Sequence, residues 1–512
     1  MKKKALVLLC LFIAAAIIIT GCAPGGQRQA SERRDDVIIS IISEWTTLDP
    51  AYGNDMLVFL VLSQFYDGLV HINVDDTIEP GLATHWDISP DGLQYTFHLR
   101  PNIFFHNGDP ITADDVVFSY NRAVASPATS RVTGTIARTE KVDDRTVRVT
   151  LRHAYAPFIA CAGMANLGIV PQKVVEEIGD AAFARNPVGS GPYMFVEWRP
   201  GDRLIMEAFP NYWKGEASIK HAQYRIIADP STATIALERG DVDVVYSVPA
   251  AERATVKNNP NLTYFDSPGA AHWFIAFNMR DGIFANNPKL REAVAYAVNR
   301  EDIIMGGLEG DGFVTYAPFT PGAFGWPEGF VGRQQDTARA RQLLAEAGYP
   351  NGVAINIRTF ESANYARPAE IIQEQLRQAG FDTRVELMER SAFMTDAFTN
   401  GQYEIMFCSL TALVPDSDFH VFIRFHSAFK GGGVNITFTD VPEMDRLVEI
   451  GRFSTDPQER IETYWAIAEL NHDLNIKIPL YVHINATASV SGLSGLATGS
   501  AYIQHIYDMS WD

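Results

Sequence analysis

Strand-like and helix-like segments alternate along the whole of this chain, and the alternation predicts a mixed α/β protein. Its size agrees with a folded body of several units: at about 100 to 200 residues per domain, 512 residues suggest two to four domains. An apolar content of 47% is enough to build a full core in each. No internal repeat and no internal low-complexity segment interrupts the alternation.

The first segment is not part of that body. Lys2, Lys3 and Lys4 precede an apolar run over residues 5–18, which ends in Ile19-Thr20-Gly21-Cys22. A basic start, an apolar stretch and small residues before a cleavage point describe a secretory segment, too short and wrongly flanked for an ordinary membrane span. The ending resembles the lipobox of bacterial lipoprotein precursors. That makes residues 1–21 a signal peptide and Cys22 the acylated first residue of a mature chain, lipid-anchored in the periplasmic space or on the outer face of the cell membrane. Removing 21 residues leaves 491, and because they hold three Lys and no acid the formal charge falls from −19 to −22. Sequence-independent nucleic-acid binding and a polybasic hold on anionic lipid both need clustered Lys and Arg. The charge argues against both and leaves membrane attachment to the acyl chains on Cys22. Of the four cysteines, Cys161 and Cys408 then remain; far apart in sequence, they read as two unpaired buried thiols, and a cysteine metal site is unavailable.

Residues 22–36 are polar, Gly-bearing and without large apolar groups, hence a flexible tether. Val37-Ile38-Ile39-Ser40-Ile41-Ile42 is a β-branched run suited to a strand buried on both faces. It ends at Ser43-Glu44-Trp45-Thr46-Thr47-Leu48-Asp49-Pro50, at the carboxyl end of a strand, where open α/β sheets bind their ligands. Residues 95–99 and 146–151 read as strands. Between them, Thr112-Ala113-Asp114-Asp115 opens a helix as a capping-box variant, with Val116, Val117, Tyr120 and Val124 at helical spacing. Asn287-Pro288 caps another helix, which packs through Leu290, Val294, Ala297 and Val298. A third starts at Asp336, packs through Leu343, Leu344 and Ala347, and stops at Gly348. Residues 355–359 form a further strand, and a helix over residues 369–379 stops at Gly380. Walker, G-x-S-x-G and H-E-x-x-H patterns are absent, so the commonest hydrolase and zinc-protease signals are missing. Glycines 81, 92, 108, 191 and 240 stand beside Pro, Asp or Asn and read as turns.

A series of motifs in one order carries a family resemblance. It runs Leu48-Asp49-Pro50, Glu79-Pro80-Gly81-Leu82-Ala83-Thr84-His85-Trp86, Ser89-Pro90-Asp91-Gly92, Tyr95-Thr96-Phe97-His98-Leu99-Arg100 and Phe104-Phe105-His106-Asn107-Gly108. Later members are Val188-Gly189-Ser190-Gly191-Pro192-Tyr193, Asn211-Tyr212-Trp213, and Val294-Ala295-Tyr296-Ala297-Val298-Asn299-Arg300. The series resembles the peptide/nickel/opine family of extracellular solute-binding proteins, family 5, the receptors of ABC importers. The resemblance implies a type II (cluster C) periplasmic-binding-protein fold. Lobe I comprises residues 37–55, 186–271 and 485–512, with a subdomain inserted at 56–185. Lobe II spans 280–477, and the hinge crossings lie at 272–279 and 478–484. It further implies a monomer without cofactor that is not an enzyme, and that delivers peptides to a permease and its ATPase subunits. An extracytoplasmic hydrolase is the alternative of a different class. His106 belongs to the family's scaffold.

A peptide buried between lobes brings a charged carboxylate and a charged amine out of water, and each needs a partner. Arg367 falls where dipeptide-binding relatives place the Arg that clamps the carboxylate. Where they carry an Asp for the amine this chain has Thr411, so Asp416 or Asp418 from a shifted loop would substitute, and oligopeptides or another solute stay open. Trp45, Tyr52, Trp273 and Asn278 are the further ligand candidates near the hinge, with Phe274 assigned to the core. For a nickel chelate, the imidazoles of His272, His420 and His426 are weak candidates without metal spacing.

Overall fold

The structure is a computed structural model that describes residues 34–73, 77–412, 414–431, 434–496 and 505–512. The expected signal segment, Cys22 and the expected tether up to residue 33 lie outside the described residues. In chain order the first strands are β1 (Asp36–Ile41), β2 (Val70–Ile72), β3 (Ile78–Pro80), β4 (Ala83–Ile88), β5 (Gln94–Leu99), β6 (Ile136–Asp143) and β7 (Thr146–Leu151). There follow β8 (Tyr193–Arg199), β9 (Arg203–Ala208), β10 (His221–Ile226), β11 (Val244–Val245), β12 (Leu262–Phe277) and β13 (Phe313–Val314). The last are β14 (Val353–Phe360), β15 (Phe381–Met388), β16 (Ile405–Thr411), β17 (Lys477–Val490), β18 (Leu493–Ser494) and β19 (Ser510–Trp511).

Among the described residues, eleven strands form one sheet in the order β15-β14-β16-β12-β17-β11-β1-β10-β9-β8, with β13 also on β17. Its long members, β12 and β17, have 16 and 14 residues and pair antiparallel from Leu262 opposite Val490 to Ala276 opposite Lys477. Towards one end β12 pairs with β16, which leads to parallel β14 and β15. Towards the other, β17 pairs with β11, which leads to parallel β1 and β10. Two half-sheets are thus bridged by two strands. The register breaks between Pro268 and His272, where a residue without an N–H weakens the ladder least. Each half-sheet has its own core, around Ile39, Leu204 and Tyr224 on one side and Ile275, Ile357 and Phe407 on the other.

Val37, Ile39 and Ile41 bury one face of β1 and Ile38 packs into a second cluster, so the β-branched run is covered on both sides. Ile42, which the sequence puts inside the strand, lies beyond its end and is half exposed. A separate four-stranded antiparallel sheet, β4-β5-β7-β6, belongs to the inserted segment. Tyr95, Phe97 and Leu99 turn to its core with Val147, Val149 and Leu151. The helix Ala113–Ala125 covers it; Asp115 Oδ2 accepts from the backbone N–H of Thr112 at 3.0 Å and from its hydroxyl at 2.7 Å, closing the capping box. The buried positions are Ala113, Val116, Ser119, Tyr120 and Ala123, and Val124 faces solvent because the apolar stripe is one position narrower than its spacing suggests.

The helix expected over residues 369–379 begins earlier, at Ala363, and carries Pro368 inside it. Pro marks a boundary in sequence reading because it lacks the N–H of the helical ladder. Here it packs against Gly307, where an added Cβ would meet Pro368 at 3.0 Å. His106 acts as scaffold: its Nδ1 accepts from the Gly189 N–H at 3.1 Å and its Nε2 donates to the Gly191 carbonyl at 3.0 Å. Burial pushes this imidazole down to about 4, so it stays neutral in that tautomer. Cys161 and Cys408 are free thiols, buried in different clusters. No helix among the described residues is long and apolar enough to cross a membrane.

Candidate ligand-binding site

Where β1 and β11 end side by side, their carboxyl ends open onto a cavity of about 360 Å3. Ile42, Leu57, Leu60 and Tyr246 give it apolar walls, and Asn485 and Thr487 of β17 close its hinge side. The helices Met56–Phe65 and Pro230–Arg239 point their first turns at it. One amide of each first turn is capped: Asp55 accepts from Val58 N at 2.9 Å and Asp229 from Thr232 N at 2.8 Å. Ser40 and Tyr246 line the cavity with buried hydroxyls that have no hydrogen-bond partner among the described residues.

Along β17 the side chains of Tyr481, His483, Asn485 and Thr487 alternate onto one face. That face leads from the cavity to an aromatic cluster at the bridge. There Trp273 stacks on Tyr481 with centroids 5.5 Å apart and meets the edge of His483 at 4.2 Å. Tyr365 lies 6.3 Å from the same indole. Trp273 Nε1, Tyr481 OH and His483 Nε2 are all buried and without partners among the described residues. The other imidazole nitrogen, His483 Nδ1, lies 3.3 Å from Asp311, which also receives Arg253 at 2.8 Å. Burial pushes the Asp311 carboxyl up, but the hydrogen bonds from His483 and Arg253 outweigh it and hold it below the usual range. Ionised Asp311 accepts the Nδ1 proton, and in the neutral imidazole Nε2 then keeps a free lone pair. A donor, an acceptor and a hydroxyl thus stand together unpaired. Leaving each so costs about 1–3 kcal/mol unless a ligand or water answers it.

Of the residues singled out from sequence, Trp273 is in this cluster. Trp45 is instead a core residue of the β1 side, 5.3 Å from Trp198. Tyr52 faces solvent and donates to Asp180 at 2.7 Å. Asn278 is a backbone clip: its amide donates to Gly401 O and Tyr403 O and its oxygen accepts from the N–H groups of Arg280 and Asp281. Arg367 is exposed on its helix and pairs with Glu309 at 3.1 Å.

The two acids assigned to a ligand amine are both occupied. Asp416 takes Arg460 Nη2 on both oxygens at 2.8 Å, and Asp418 takes Arg452 at 3.0 and 2.6 Å. Both lie buried, so a ligand amine would have to displace a guanidinium. His420 shares a hydrogen bond with Thr320 at 3.0 Å, and His272 stacks on Phe274 at 5.1 Å. Burial pushes both imidazoles down, His420 to about 3, and the nearby charge of Lys477 adds to the effect on each. A metal cation would meet the same repulsion. His426 spends its nitrogens on Ala428 N–H and Glu449. Sequence reading passed over Tyr246, Tyr481, His483, Asn485 and Thr487. The alternation that could have found the last four begins inside the apolar crossing and continues past its end.

Two half-sheets bridged by two long strands, with a ligand-sized cavity beside the bridge and an inserted antiparallel subdomain, define a two-lobed periplasmic binding protein of type II. The model of the bacterial extracellular solute-binding proteins, family 5 (middle), matches residues 77–432, and the chain belongs to that family. The glutathione-binding protein GsiB of Salmonella typhi is 28% identical over 475 residues, 90% of this chain and 91% of that protein. Among solved structures, HbpA2 from Haemophilus parasuis matches with a TM-score of 0.87 at 27% identity, covering 93% of this chain and 100% of that one. DppA from Helicobacter pylori, in complex with peptide STSA, matches with a TM-score of 0.74 at 27% identity over 94% of this chain and 98% of that one.

Proposed function

We propose that this chain is the non-enzymatic receptor of an ABC importer. It captures a short peptide or peptide-like solute between its lobes, outside the cytoplasm, and hands it as a monomer to the membrane permease and its ATPase. The observation that carries this reading is the unpaired set at the bridge. Trp273 Nε1 can donate to a peptide carbonyl, His483 Nε2 can accept from a peptide N–H, and Tyr481 OH can do either. The adjoining cavity of about 360 Å3 has the size of a small-ligand site, for which about 300–1,000 Å3 is usual. Relatives named for glutathione and crystallised with a peptide support the same class of solute.

Recognition then rests on amide groups more than on a paired amine, because Asp416 and Asp418 are spoken for. Arg367 is the group assigned to a ligand carboxylate; its exposed pair with Glu309 is worth only about 0–1 kcal/mol and yields readily. The moving bodies are residues 37–271 with 485–512, and 280–477, turning about the crossings at 272–279 and 478–484. Acylated Cys22 holds the receptor at the membrane, and Cys22→Ser should release it from the membrane fraction; unchanged partitioning in detergent would refute the anchor.

Native mass spectrometry of protein purified without added ligand tests the solute class. A retained mass that fragments as a peptide is expected, and peptides incubated with the protein should be recovered intact. A retained metal chelate or sugar, or shortened peptides, would overturn the reading.

A further inference from the structure

The outer face of the inserted sheet carries a second cluster of chemistry, away from the bridge. His85 of β4 stands opposite His98 of β5 in the antiparallel register, and Asp87 follows two residues along on the same face. Trp86, between them, turns inward to the subdomain core. The two imidazoles stack 4.3 Å apart, and His98 Nε2 lies 3.0 Å from Asp87 Oδ2. One ligand atom from each residue falls within a 4.8 Å set, the only such group of three among the described residues.

A second observation fixes how these groups present themselves. Thr84 donates its hydroxyl proton to the His98 carbonyl at 3.2 Å, and its oxygen lies 2.9 Å from His85 Nδ1. The arrangement that satisfies both contacts has Thr84 accept from His85 Nδ1–H, and in that neutral tautomer His85 Nε2 keeps its lone pair for a ligand. A hydrogen bond to the far nitrogen that sets tautomer and ring orientation is what metal-binding histidines use.

We propose that His85, Asp87 and His98 form a site for a divalent transition-metal ion such as Zn2+, on the solvent face of the inserted subdomain and separate from the solute cleft. Bond lengths of about 2.0–2.2 Å require tetrahedral ligand atoms about 3.3–3.5 Å apart. The two rings lie only 7° from parallel, so their in-plane lone pairs converge on one ion only after an imidazole rotates out of the stack, which the exposed face leaves room for. The ion takes the position of the proton shared by His98 Nε2 and Asp87, and that proton moves to His98 Nδ1. Two imidazoles and one carboxylate select a borderline ion over Ca2+ or Mg2+, which take oxygen ligands. Solvent supplies the fourth position.

The test is titration of the full chain with Zn2+ by calorimetry, and with Co2+ by visible absorption, whose intense ligand-field bands report tetrahedral coordination by nitrogen and oxygen. One equivalent should bind. His85→Gln and His98→Asn should each weaken binding by about tenfold or more, and Thr84→Val, which keeps all three ligands, by about 10- to 100-fold. Absence of saturable Zn2+ uptake by the parent, or the same affinity in the His85→Gln/His98→Asn double variant, would overturn the site.

Discussion

Asp67 lies between Tyr212, which donates to it at 3.0 Å, and Trp213, which donates at 2.8 Å. Burial outweighs those two hydrogen bonds and pushes its carboxyl up to about 7. The folded state therefore holds the proton more tightly than the unfolded chain, whose Asp titrates near about 3.9. This group's contribution to stability is fully present below about pH 4 and is lost as the pH rises through about 7. In Asp67→Asn the amide oxygen still accepts from Trp213 and the amide N–H can donate to Tyr212, so that slope should vanish. Urea unfolding of parent and variant from pH 4.5 to 8 checks it, and parallel curves would refute it. Arg460 offers the converse case. Arg460→Met would strand the buried Asp416 charge and should cost about 3–5 kcal/mol in urea unfolding. Free and N-acetylated peptides should bind the parent about alike; a strong preference for the free amine that Asp416→Asn abolishes would mean that Asp416 does read it. From sequence the two Asp could be seen but not their partners, because Arg460 and Arg452 lie 44 and 34 residues away.

At the scale of elements, the end of the helix Met56–Phe65 shows why a glycine-rich motif is there. Val188-Gly189-Ser190-Gly191-Pro192 runs against that helix end, where Gly191 N donates to Phe65 O at 2.8 Å. A Cβ on Gly189 would stand 1.9 Å from the same carbonyl oxygen. Gly189→Ala should therefore cost at least about 1–3 kcal/mol, because a backbone atom has no rotamer with which to yield. Thermal unfolding reads the loss, and an unchanged midpoint would mean that the two segments are not held together. Caps and strands were legible because their signals are local: Thr112 with Asp115, Asn287 with Pro288, the β-branched run of β1. The start of the helix Ala363–Gln378 was not, since tolerance of Pro368 depends on Gly307, 61 residues earlier. That shift sets Arg367 inside the helix.

For the whole molecule, β12 and β17 are the joint. Arg253, on the β11 side, pairs with Asp311, on the β13 side, at 2.8 Å across the edge of β17. A bound solute that contacts both half-sheets favours their approach. Saturating peptide should reduce the radius of gyration in X-ray scattering and change the emission of Trp273. It should raise stability by about 2.7 kcal/mol at a hundredfold excess over the dissociation constant. An unchanged radius with a confirmed ligand would refute closure.

Composition, the order of the motifs and the local signals in this sequence determined its class: α/β, two-lobed, of the family 5 solute-binding proteins. Such signals are local or linear, and the chain order preserves them. Tertiary structure decided which side chains face the cleft. It occupied Asp416 and Asp418 with arginines, buried Trp45 against Trp198, and left Trp273 Nε1, Tyr481 OH and His483 Nε2 without partners among the described residues where β12 pairs with β17. Whether a polar group is free to bind depends on partners brought from tens to hundreds of residues away, and spacing along the chain does not encode that.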